Sequence, residues 1–169
     1  RVEIGNFLKK NTYTKKMALS VHSDEHFMKQ ALKEAEKADE AGEIPVGAVI
    51  VSNNVIIARA HNQTEILTDV TAHAEILAIT SASEHLGNKF LERCTLYVTM
   101  EPCPMCAGAL NWARLSRIVY GAADDEKGFM RFGKKILHPK TKLEYGVMHQ
   151  ECEAIIKRFF KELREKQVY

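Results

Sequence analysis

The sequence has no long apolar run and no secretory hydrophobic segment, so neither a membrane-spanning helix nor an export signal can be read in it. It has no internal repeat, no low-complexity tract and no sign of a second domain, which leaves a repeat array or a chain of linked modules without support. Surplus charge is almost absent: 24 Lys and Arg stand against 22 Asp and Glu, a formal net charge of +2. Net charge therefore does not announce a nucleic-acid partner, and any basic surface has to come from local clustering. Cysteine is scarce and unevenly placed, with a close pair, Cys103 and Cys106, and two isolated residues, Cys94 and Cys152. That pattern favours a reducing cytoplasm, where C-x-x-C is more often a metal or redox site than a structural disulfide.

What is present suits one globular domain: 169 residues, 46% hydrophobic and 27% charged, enough to bury a proper core. The first 22 residues carry five basic side chains against one acid and lack a clear apolar period. A mobile N-terminal extension is expected over 1–22, with Met17 a candidate start and RNA contact by a basic arm as the alternative. Residues 23–169 are expected to form a single domain.

Apolar residues at helical spacing predict a helix over Asp24 to Ala41, closed by Gly42. Two β-rich runs, 45–51 and 54–60, flank a hairpin turn at Ser52-Asn53. A second helix of about a dozen residues ends near Gly87, in the usual place for a C-terminal glycine. Strand three spans 95–99, a helix 104–114, strand four 117–120 and a short fifth strand 142–148, after a Gly- and Lys-rich loop over 124–140. The last helix shows one stripe through Cys152, Ile155, Ile156, Phe159, Phe160 and Leu163. Strand-helix-strand alternation argues for an α/β sandwich built on βαβ units.

Two short stretches carry chemistry. His73-Ala74-Glu75 alone is a weak signal, since a His or Glu at a helix start is usually structural or solvated. Glu101-Pro102-Cys103-Pro104-Met105-Cys106 is stronger, because it follows a predicted strand and opens a helix, where Cys103 and Cys106 can face one side. Cys and His are preferred zinc ligands, a helix N-terminus stabilises a thiolate, and three protein ligands leave a fourth position for water. A redox role for the C-x-x-C leaves His73 and Glu75 unexplained.

The order H-A-E followed by P-C-x-x-C about thirty residues later is the signature of the zinc-dependent cytidine and nucleobase deaminases. In those enzymes His73, Cys103 and Cys106 would hold Zn2+, bringing the pKa of water there toward about 7, with Glu75 as proton shuttle. Together with Glu43 to Val49, His61-Asn62, Leu96 to Thr99, Met105 to Ala109 and Glu151-Cys152, the chain resembles bacterial tRNA adenosine deaminases of the TadA type over roughly residues 24–164. The resemblance implies a three-layer α/β/α sandwich around a central mixed five-stranded sheet, the cytidine deaminase-like architecture. It further implies conversion of adenosine to inosine at the wobble position of a tRNA anticodon stem-loop, by a homodimer.

By the same resemblance Asn62 would hydrogen-bond the flipped base, backbone near Ala74 would help hold it, Asp124 would sit near the ribose, and Ile44 would wall the pocket. Phe159 or Phe160 would stack on an unpaired base, and Arg131, Lys134, Lys135, His138, Lys140 and Lys142 would neutralise phosphate. Loop capping by Asn62 and Asp124, and core packing of the two phenylalanines, are the structural alternatives. Cys94, Cys152 and Trp112 are expected as core residues, Trp112 with a dimer contact as its alternative. The chain departs from the pattern between Asn62 and His73, which lacks the usual basic residues, and at Glu126, where a lysine is common. Residues 106–114 also resemble guanine deaminases, which act on a free base, so that is the runner-up, with cytosine or nucleoside deamination behind it. A non-catalytic zinc-stabilised RNA-binding subunit is disfavoured by the presence of Glu75.

Overall fold

The computed structural model describes residues 22–166, so the expected extension over 1–22 lies, but for its last residue, outside the described residues. The chain runs α1 (Asp24–Glu40), β1 (Gly47–Ser52), β2 (Val55–His61), α2 (Ala74–Leu86), β3 (Cys94–Met100), α3 (Pro104–Trp112), β4 (Arg117–Ala122), β5 (Lys142–Tyr145) and α4 (His149–Lys166). Local chemistry sets these boundaries. Ser23 accepts the His26 N–H at 3.1 Å to start α1, and Gly87, in the left-handed region at φ 60°, closes α2. The hairpin turn falls on Asn53 and Asn54, both at positive φ, a conformation asparagine tolerates and the right-handed strand twist favours. The Gly- and Lys-rich loop is not wholly irregular: it folds into two short 3-10 turns, Phe129–Phe132 and Lys134–Ile136.

The sheet order is β2-β1-β3-β4-β5, antiparallel across β2-β1-β3 and parallel across β3-β4-β5, so the sheet is mixed. Strand side chains alternate between two cores, as a period of two requires. Val49, Tyr97 and Val119 join Phe27, Met28 and Ala31 of α1 and Cys152 of α4 on one face. Ile50, Leu96, Val98 and Ile118 meet Ala78 and Ala82 of α2 and Leu110 of α3 on the other. The result is the expected α/β/α sandwich. Cys94 and Cys152 are buried as predicted, whereas Trp112 is 82% exposed and belongs to no core. α3 ends there.

Two contacts fix how α1 sits. At Gly47 a Cβ would run into the Ala31 carbonyl oxygen and the Ala35 amide nitrogen, both backbone atoms of α1, so helix and strand touch main chain to main chain. At the other end of the helix, Arg117 of β4 donates two hydrogen bonds to Asp24, each 2.7 Å, and the Tyr97 hydroxyl donates a third at 2.8 Å. These bonds, Arg117's first, hold the Asp24 carboxyl below its ordinary value.

Gly47→Ala has no flexible side chain to displace, and destabilises the fold by at least about 2–3 kcal/mol, read as a lower denaturant midpoint. Asp24→Asn costs roughly 1 kcal/mol at pH 7, because the pair is partly reached by solvent. Since the folded carboxyl titrates below the unfolded one, that cost is complete above about pH 4 and disappears as pH falls through the folded value. A stability difference between the two proteins that did not shrink as pH falls below about 4 would contradict this account.

Candidate active site

The parallel strand β3 delivers the chain to one edge of the sheet at Glu101, and Pro104, suited by its fixed φ to a first helical position, turns it into α3. Cys103 is therefore the residue that caps α3, with φ −72° and ψ 168°. His73 caps α2 in the same extended conformation, φ −73° and ψ 152°. The His73 side chain makes no capping bond to its own helix, and both side chains approach one another, with the His73 Nδ1 near both cysteine sulfurs. Cys106 lies in the first turn of α3, fully buried, and Glu75 lies in the first turn of α2, 4% exposed.

The His73 Nδ1 is 3.7 Å from the Cys103 Sγ and 3.5 Å from the Cys106 Sγ, and all three donors lie within 4.8 Å of one another. A tetrahedral zinc with Zn–N near 2.0 Å and Zn–S near 2.3 Å sets nitrogen and sulfur about 3.5 Å apart. The donor set fits that ion in spacing and type, with one coordination position left over.

Electrostatics agree. Cys103 is held down at about 4, chiefly by the hydrogen bond from Cys106, while Cys106 is pushed far above the thiol range by giving that bond and by burial. Metal binding at such a pair is linked to loss of thiol protons. The bond to Cys103 raises the His73 imidazole. Burial pushes the Glu75 carboxyl up to about 7, with the nearby imidazole acting in the opposite sense. A carboxyl poised there can both take and give a proton at neutral pH.

A cavity of about 340 Å³ opens on this group. Of the residues singled out in the sequence, His73, Glu75, Cys103, Asn62, Ile44 and Asp124 all line it. Ala74 is fully buried between its two lining neighbours. Phe159 is not at the cavity. Phe160 is, because one residue along a helix turns the side chain by about 100°, and Phe159 instead packs edge-to-face against Phe160 at 5.4 Å. Where Glu126 replaces a common lysine, the neighbouring Lys127 also reaches the rim, so an acid and a base stand there together. Arg131, Lys134, Lys135, Lys140 and Lys142 are exposed beyond it.

Two buried carboxylates had no role assigned from the sequence. Glu101, 7% exposed, accepts the Asp124 N–H at 3.1 Å and the Met130 N–H at 2.9 Å, and so pins the loop that carries Asp124. Gly128 lets that loop close, since a Cβ there would strike the Glu101 carboxyl. Glu43, fully buried, accepts the Glu65 and Ile66 N–H groups at 2.9 and 2.8 Å and the Asn62 side-chain amide at 2.9 Å. Both acids stand inside the runs that carry the family resemblance, but only the folded loops disclose which N–H groups they serve.

Residues 22–164 match the family described as MafB19-like deaminase. Among curated proteins, the chain is 47% identical over 148 residues to a tRNA-specific adenosine deaminase of Bacillus subtilis, covering 85% of this chain and 92% of that one. Among solved structures, it is 44% identical to one from studies of A-to-I editing by tRNA:A34 deaminases at the wobble position, with a TM-score of 0.73, covering 77% of this chain and 98% of that one. A Bacillus subtilis guanine deaminase structure is 45% identical, with a TM-score of 0.58, over 60% of this chain and 65% of that one.

The three donors act as a set. His73→Ala, Cys103→Ala and Cys106→Ala each lower zinc from about one ion per chain to near none, measured by atomic emission on purified protein. A Cys106→Ala protein that kept full zinc would refute the three-donor centre.

Proposed function

Because the chain belongs to the MafB19-like deaminase family and shares 47% of its residues over 148 positions with a tRNA-specific adenosine deaminase, we propose that it hydrolyses adenosine to inosine at a tRNA wobble position. The observation that carries this is the meeting of His73, Cys103, Cys106 and a buried Glu75 on the wall of one cavity. His73, Cys103 and Cys106 would hold zinc, whose Lewis acidity makes water nucleophilic near neutral pH.

The rest is the work of the chain's own side chains. Glu75 takes a proton from the attacking water and delivers it to ring N1 as the C6–O bond forms. It then helps protonate the departing N6 amine as the C6–N6 bond breaks, so that adenosine and water give inosine and ammonia. Its titration near neutrality supports both halves of that transfer. Asn62 and backbone near Ala74 hold the base, Ile44 walls the pocket, Asp124 lies toward the ribose, and Phe160, which lines the cavity, is the ring that stacks on an unpaired base.

The exposed basic residues from Arg131 to Lys142 support an anticodon stem-loop as substrate, since they would neutralise phosphates that a free base lacks. Exposed apolar side chains, Trp112 at 82% and Val70 at 83% among them, support a homodimer. No helix among the described residues is long and apolar enough to cross a membrane. Residues 23–169 are taken as a single deaminase domain working in the cytoplasm.

Purified protein offered an adenosine-wobble stem-loop, free guanine and free cytosine in parallel is expected to form inosine in the RNA. Ammonia from guanine with no inosine would replace this assignment with the free-base activity. Glu75→Gln is expected to keep its zinc and lose roughly 10²–10⁴ in deamination rate. Normal turnover by that variant would remove Glu75 from the proton path.

A further inference from the structure

Asn62 and Glu43 form an arrangement whose polarity is fixed by neighbours outside the set of metal donors. The Glu43 carboxyl receives four donors: the Glu65 and Ile66 N–H groups on Oε1, and the Asn62 Nδ2 and Thr64 Oγ1 on Oε2. With every approach taken by a donor, the group acts only as an acceptor, and an amide beside it must turn its nitrogen inward. The Asn62 Nδ2 lies 2.9 Å from Glu43 and 3.1 Å from the Thr64 hydroxyl, which are themselves 3.2 Å apart. The two acceptors thus subtend only about 60° at the nitrogen, half the angle between its N–H bonds, so one hydrogen serves both and the second is left over.

The Asn62 Oδ1 has no donor among the described residues, which include no buried side-chain oxygen or nitrogen lacking a partner, so this atom reaches the cavity that Asn62 lines. A carbonyl acceptor and an N–H donor are left side by side. That pair matches the amine and N7 of adenine, whereas cytosine presents beside its own amine a C5–H that accepts no hydrogen bond.

We propose that Glu43 is a positioning residue that sets base specificity by locking the Asn62 amide in this one orientation. The proposal rests on the cavity being the base pocket. Glu43→Gln is the discriminating change. The Glu65 and Ile66 N–H groups keep the Gln oxygen, so its NH2 is forced toward Asn62, and the Asn62 amide inverts.

In zinc-loaded protein, kcat/KM for inosine formation in the stem-loop should fall roughly 10- to 100-fold in Glu43→Gln and in Asn62→Ala, while the double variant falls no further than Asn62→Ala alone. Zinc content and melting temperature should hold. Losses that multiply in the double variant, or unchanged turnover in Glu43→Gln, would overturn the proposal. If Glu43→Gln does not fold, Thr64→Val takes its place, with an expected 3- to 10-fold loss absent in the Asn62→Ala background.

A second readout needs no substrate. By NMR of 15N-labelled holoprotein, one Asn62 Nδ2 proton should exchange slowly with water, and both should exchange freely in Glu43→Gln, or in Thr64→Val to a smaller degree. Two freely exchanging protons in the unaltered protein would sink the lock. If the unaltered protein makes no inosine, the substrate assignment fails while this measurement still decides the role of Glu43.

Discussion

The site depends on bringing two helix N-termini together. Each carries partial positive charge from its unpaired amides, so aiming two at one point is unfavourable unless negative charge is placed between them. Cys103 supplies it, and the pull of two helix starts on a sulfur is one reason a thiolate survives in a half-buried place. The same constraint explains the histidine at the start of α2. A Ser or Asp there would satisfy the helix and leave the centre one ligand short, so the fold gives up a side-chain cap at both helices for the sake of the metal group.

Much of this was legible in the sequence because the informative residues are local. Element order follows from helical spacing and β-rich runs, and the His73, Cys103 and Cys106 set from the H-A-E and P-C-x-x-C motifs that carry the family resemblance. Glu43 and Glu101 were not legible as working residues. A buried acid is recognisable by the N–H groups that fold onto it, and those come from loops at 62–72 and 124–130, whose paths are set by tertiary contacts. Which of Phe159 and Phe160 meets the cavity was not legible for a similar reason. Both lie on one apolar stripe, and only the approach of α4 to the sheet decides which ring meets the cavity.

Four acids are buried in and around the site, and they are held in different ways. Glu34 is paired with Lys37 and lies near Arg59 and His61, so opposite charge compensates it. Glu43 and Glu101 are compensated by neutral donors, which suits groups that shape loops. Burial disfavours the ionised form of Glu75, which titrates near neutrality. The acids that gather loop N–H groups position their neighbours, and the one whose charge burial disfavours is suited to exchange a proton.

The wall that Phe160 provides comes from α4, whereas the ligand set is complete at Cys106. A chain made from its N-terminus therefore holds every metal donor well before it holds a closed cavity. The three donors and the ring that closes the cavity thus become available at different moments of synthesis.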